Sequence, residues 1–129
     1  MKKIILAAIL LTSSLAFSME EVNDANFYKK VSSSTGIVLV DIYATWCGPC
    51  HRIHPILEML EKEYKGKVKF FQMDTDKNPK TSSYFNVRSI PHILVFKDGG
   101  NPQLLESTLN KADLKSEIED AIKVLEKKK

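Results

Sequence analysis

The chain has 129 residues, with 19 lysines and arginines against 16 aspartates and glutamates and a formal net charge of +3. That length supports one domain with a real core and excludes two. Charges this close to balance exclude an extended basic groove, so no nucleic-acid partner is expected.

The first residues change the question. Lys2 and Lys3 form a positive start, Ile4 to Leu11 an uninterrupted apolar run, and Ala16-Phe17-Ser18 a small-x-small cleavage site. The run is too short to cross a bilayer, which takes about 20 residues. Residues 1–18 therefore read as a secretory signal and residues 19–129 as the folded domain. No cysteine lies near the cleavage point, which removes lipid attachment there. Cleavage takes the basic residues from 19 to 17 against an unchanged 16 acids. The expected destination is outside the cytoplasm, in an oxidising compartment where paired cysteines form disulfides.

Asn23 suits the cap of a first helix bearing Phe27 and Val31 on one face, ended by Ser32-Ser33-Ser34-Thr35-Gly36. Ile37 to Tyr43 is β-branched and apolar on both faces, the pattern of a central strand covered on both sides. Ile53, Ile56, Leu57, Leu60 and Tyr64 then recur at helical spacing, which predicts a helix from about Pro49 to Lys65 with a kink at Pro55. Lys65-Gly66-Lys67 turns into a second strand, Val68 to Asp74, and a short helix is expected from Pro79 to Phe85. Two strands follow, Ile93 to Lys97 and the weaker Gln103 to Ser107, separated by Asp98-Gly99-Gly100. Asn110 with Asp113 caps a last helix whose buried stripe is Leu114, Ile118, Ile122 and Leu125. The order is α/β, a parallel strand pair followed by a terminal hairpin, with helices on both faces.

The chemistry is concentrated in Trp46-Cys47-Gly48-Pro49-Cys50-His51, which holds both cysteines of the chain. Cys-x-x-Cys-His is open to three readings: covalent haem attachment, half of a zinc site, or a redox dithiol. Zinc needs further ligands; His51, His54 and His92 are available, but a second Cys-x-x-Cys or His-x-His pair is missing. Haem needs an axial partner and a helical crevice, whereas Met59 falls on the helix after the motif and Met73 inside a strand. The dithiol reading also accounts for the neighbours. A cysteine at a helix start faces unpaired backbone N–H groups that favour thiolate. Cys47, beside Trp46 and expected near the surface, is then the nucleophile, and Cys50 the resolving thiol. A disulfide across two intervening residues closes too short a loop to act as a staple. Asp41 interrupts the apolar strand. It is either an exposed strand-end residue or, the reading preferred here, a buried acid able to take the proton of Cys50.

Asp41 to Cys50, the helix with Pro55, Asp74 to Pro79, Val87 to Pro91 and Phe96 to Gly99 together resemble the thioredoxin family, in order and over nearly all of the domain. The resemblance implies the thioredoxin fold, a central mixed sheet of four to five strands with helices on both faces. It implies Cys47, Cys50 and Asp41 as catalytic residues and Trp46, Gly48, Pro49, Ile90 and Pro91 as the substrate-binding surface, with Pro91 cis. The activity implied is thiol–disulfide exchange with disulfide-containing proteins, by a monomer with no dissociable cofactor and no metal. Gly48-Pro49 is like the reducing members, with a disulfide-forming oxidase or isomerase as the alternative. In the periplasm such a reductase implies an integral-membrane thiol-transfer protein as electron donor. Three departures stand out: Gln72 replaces a usual lysine near the buried acid, His51 follows the second cysteine in place of lysine, and Ser107 replaces a glycine before the last helix.

Overall fold

The computed structural model describes residues 19–128, so the expected signal, residues 1–18, lies outside the described residues. Five strands form one sheet in the order β1-β3-β2-β4-β5. They are β1 (Glu20–Glu21), β2 (Ile37–Tyr43), β3 (Val68–Asp74), β4 (His92–Lys97) and β5 (Gln103–Leu104). β3 runs parallel to both β1 and β2, whereas β4 is antiparallel to β2 and to β5. The helices are α1 (Gly48–Glu63), α2 (Pro79–Tyr84) and α3 (Lys111–Lys127). The mixed sheet and the α/β class are as expected.

β2 is the centre because both its faces are apolar. Leu39 joins Ile53, Leu57 and Leu60 of α1 and Leu114 and Ile118 of α3 in one core layer. Val38, Val40 and Ile42 join Phe27, Val31, Met73 and Phe96 in the other. Period-two alternation therefore places Asp41 and Tyr43 on the α1 side with Leu39. The same side receives Gln72, the register partner of Asp41 on β3, and Glu21, the register partner of Gln72 on β1.

Two expectations need correction. β1 was not foreseen: two residues carry no periodicity, and only pairing with β3 makes them a strand. The helix expected after Asn23 is a turn leading into a short π-helix, Tyr28–Ser32. Asn23 does not cap it: its side-chain oxygen closes the preceding turn, accepting the N–H groups of Ala25 and Asn26 at 2.9 and 3.0 Å, and Phe27 at the helix start makes no side-chain cap. Phe27 and Val31 are buried as their spacing suggested.

Candidate active site

β2 ends at Tyr43, and Ala44 to Cys47 carries the chain onto the start of α1. Cys47 is the N-cap of that helix, with extended backbone, and its Sγ accepts the backbone N–H of Cys50 at 3.2 Å. Pro49 sits in the first turn, where its missing N–H would have had no helical partner. α1 continues through Pro55, which leaves the His51 carbonyl without its helical donor. Cys47 and Cys50 are joined as a disulfide, with Cα atoms 5.3 Å apart.

The expected contrast in exposure between the two cysteines is absent: each is 3% exposed. The surface beside them is nevertheless open. Trp46 is 70% exposed, and its indole N–H donates to Asp76 Oδ2 at 2.7 Å, which holds the ring at the rim. Gly48 and Pro49 are exposed. A Cβ at Gly48 would meet only Arg52 Nη1 at 3.7 Å, so the glycine leaves bare surface rather than relieving a clash. Ile90 packs against Ala44, Cys47 and Cys50, and the Ile90–Pro91 peptide is cis. The structure thus brings the cysteines and Ile90, with its cis neighbour Pro91, to one end of the sheet.

Behind the disulfide lies a cavity of about 190 Å³ lined by Asp41, Tyr43, Ala44, Cys50, His51, His54 and Gln72. Asp41 is the buried acid of the two readings, 1% exposed, with Oδ1 lacking a hydrogen-bond partner. Burial, and secondarily the negative charge of Glu21, push its carboxyl up from 3.8 to about 7. Near neutrality Asp41 therefore exchanges a proton readily. Tyr43 donates its hydroxyl to Glu21 Oε1 at 2.8 Å, and burial together with that bond raises its own pKa.

The histidines divide. His51 is exposed, with Nε2 2.7 Å from the Thr45 carbonyl, and His54 pairs with Glu58 at 3.0 Å. His92 is buried and registers with Ile42, which packs into the opposite core layer. Burial holds its pKa down. Among the described residues, no three His, Cys, Asp or Glu side chains are grouped to hold a metal ion. Ser107 adopts φ +63°, in the left-handed region that favours glycine. That supports its alignment with the glycine expected there. Glu117 Oε2 steadies the loop by accepting the N–H groups of Glu106 and Ser107 at 2.8 and 3.2 Å.

Glu21, Tyr43 and Asp76 were missed as contributors to the site. Tyr43 read only as the last residue of a strand. Asp76 lay inside a stretch quoted for its resemblance but had no partner until the fold brought Trp46 over it.

A disulfide closed across the first turn of a helix, beside a cis-proline and backed by a buried acid, defines a thiol–disulfide oxidoreductase. The chain matches the family model described as Thioredoxin over residues 18–120, and it belongs to the thioredoxin family. It is 39% identical over 99 residues to a thioredoxin of Synechocystis sp., covering 77% of this chain and 92% of that protein. It is 40% identical over 104 residues to the chloroplastic M-type thioredoxin of Pisum sativum, covering 81% of this chain and 60% of that one. With a thioredoxin of Staphylococcus aureus the identity is 51% over 79 residues, covering 61% of this chain and 74% of the relative. Of the three readings of Cys-x-x-Cys-His, membership selects the dithiol, with disulfide-containing proteins as substrates.

Proposed function

We propose that this protein is an exported thioredoxin that reduces protein disulfides in the bacterial envelope, in the periplasm, with Cys47 as nucleophile. The observation that carries the chemistry is the position of Cys47. It caps α1, its sulfur accepts a backbone N–H of the first turn, and exposed Trp46, Gly48 and Pro49 flank it. The helix start stabilises negative charge on that sulfur. Cys50 lies one turn inward and shares the cavity of Asp41. Export is supported by the charged start, the short apolar run and Ala16-Phe17-Ser18.

The reaction balances in two exchanges. The Cys47 thiolate attacks one sulfur of the substrate disulfide, forming a mixed disulfide and releasing the other sulfur as thiolate. Cys50 gives its thiol proton to ionised Asp41, and its thiolate attacks Cys47 Sγ. The second substrate sulfur leaves as thiolate, which the Asp41 proton can neutralise through solvent. Two electrons pass to the substrate, and the Cys47–Cys50 disulfide remains. Trp46, Gly48, Pro49 and the Ile90–Pro91 backbone form the surface on which an extended substrate segment lies. A membrane thiol-transfer protein then returns two electrons to the pair, and the enzyme acts as a monomer.

Two measurements test this reading. Cys50→Ser should accumulate mixed disulfides with substrate proteins, because no thiol remains to resolve them. Accumulation in Cys47→Ser instead would reverse the assignment. The Cys47–Cys50 potential should be more reducing than that of glutathione, and a more oxidising value would make the protein an oxidase.

A further inference from the structure

We infer that Glu21, on edge strand β1, is a positioning residue for disulfide exchange: its carboxylate, fixed by Tyr43, faces buried Asp41 as a like charge and governs how readily Asp41 accepts the Cys50 proton. This rests on the reading of Asp41 as that acceptor.

The geometry comes from register. Glu21 pairs with Gln72, and Gln72 pairs with Asp41, so the three residues form one row across β1, β3 and β2 on the α1 side. Strands lie about 4.8 Å apart, which puts the backbones of Glu21 and Asp41 about 10 Å apart. Tyr43 is two residues along β2 from Asp41 and therefore on the same side. Its hydroxyl reaches across β3 to Glu21 Oε1 at 2.8 Å. That bond draws an otherwise exposed carboxylate toward β2 instead of leaving it to swing into water.

The residue between the two acids is neutral. Gln72 can offer hydrogen bonds but no charge, so nothing at that position offsets the repulsion. The cavity lining contains no lysine or arginine. The other titratable groups lining the cavity with Asp41 are Tyr43 on β2 and Cys50, His51 and His54 on α1; Asp74, at the end of β3, registers with Tyr43, and β4 presents apolar Ile93. His54 is tied to Glu58. Glu21 is the second cause, after burial, of the raised Asp41 carboxyl.

Glu21→Gln keeps an acceptor for the Tyr43 hydroxyl and removes the charge, which separates field from scaffold. In the oxidised protein, the carboxyl carbon of Asp41 can be titrated by NMR. Its midpoint should fall by about half a pH unit in Glu21→Gln, as expected for a charge about 10 Å away in a partly aqueous medium. The acidic limb of the pH profile for single-turnover resolution should fall with it. Tyr43→Phe, which frees the carboxylate, should give a smaller shift in the same direction. Salt near 0.5 M should shrink the difference between wild type and Glu21→Gln. An unchanged Asp41 midpoint in both folded variants overturns the inference. A midpoint that moves while Asp41→Asn leaves resolution unaltered overturns instead the assignment of Asp41 as acceptor.

Discussion

Asp41, the proton acceptor of the proposed mechanism, is buried at the expense of stability. Its carboxyl is raised from 3.8 to about 7. Below about pH 4 folded and unfolded chains both hold the proton. Between pH 4 and 7 the folded chain keeps it while the unfolded chain loses it, so stability falls as pH rises through this window. Above 7 both forms are ionised and the full penalty applies, roughly 4 kcal/mol for a shift of this size. Urea unfolding of the oxidised protein should therefore show lower stability at pH 8.5 than at pH 5, and Asp41→Asn should flatten most of that slope. A second consequence concerns rate. In the proposed mechanism resolution uses ionised Asp41, so its rate should fall as pH drops through about 7. Gln72→Lys places a cation beside Asp41 in register and should move that fall to lower pH, whereas Asp41→Asn should slow resolution and spare the first attack. Superimposable wild-type and Gln72→Lys profiles would show that position 72 does not tune the acid. At this scale much was legible: an aspartate inside an apolar strand draws suspicion because ionised groups are costly to bury. The sign of its neighbours was not, because Glu21 is twenty residues away in the chain.

Among the elements, those with a period were read closely and those defined by pairing were not. β2 and β3 have the expected bounds, α1 differs only at its ends, and the buried stripe of α3 holds Leu114, Ile118 and Leu125 with Ala121 in place of the half-buried Ile122. Asn110 caps α3 as its spacing to Asp113 implied, accepting the Asp113 N–H at 3.1 Å. Asn110→Ala should cost about 1 kcal/mol in chemical unfolding. The β4–β5 turn shows what a local signal leaves out. Asp98-Gly99-Gly100 marks a turn, but it does not reveal that Gly99 lies against the backbone of Ser32. With φ +67°, a Cβ there would overlap the Ser32 carbonyl. Gly99→Ala should therefore cost about 3 kcal/mol, far more than an alanine at open Gly36 or Gly66, which carry only the left-handed backbone. Equal losses at all three positions would show that conformation, not contact, decides the cost.

For the molecule as a whole, the N-terminal end of the domain joins both core layers. Met19 packs with α1 and α3, Val22 packs on the other side of the sheet, and Glu21 lies between them. A chain cleaved after Ser18 keeps all of these, so mass spectrometry of exported material should give a first residue of Met19. An intact N-terminus in a membrane fraction would make the protein an anchored thioredoxin with the same chemistry. A chain starting at Asn23 should lose about 4 kcal/mol of stability, from two buried side chains at about 2 kcal/mol each. It should also show a lower Asp41 midpoint, because Glu21 is gone. The sequence alone determined the α/β class, the Cys-x-x-Cys at a helix start and the candidate acid, since periodicity, capping chemistry and motif spacing act within short stretches of chain. The tertiary structure decided which acids face each other, what holds Trp46 at the rim and which glycine is sterically required. Those depend on sheet register and loop packing, which bring together residues that no local pattern connects.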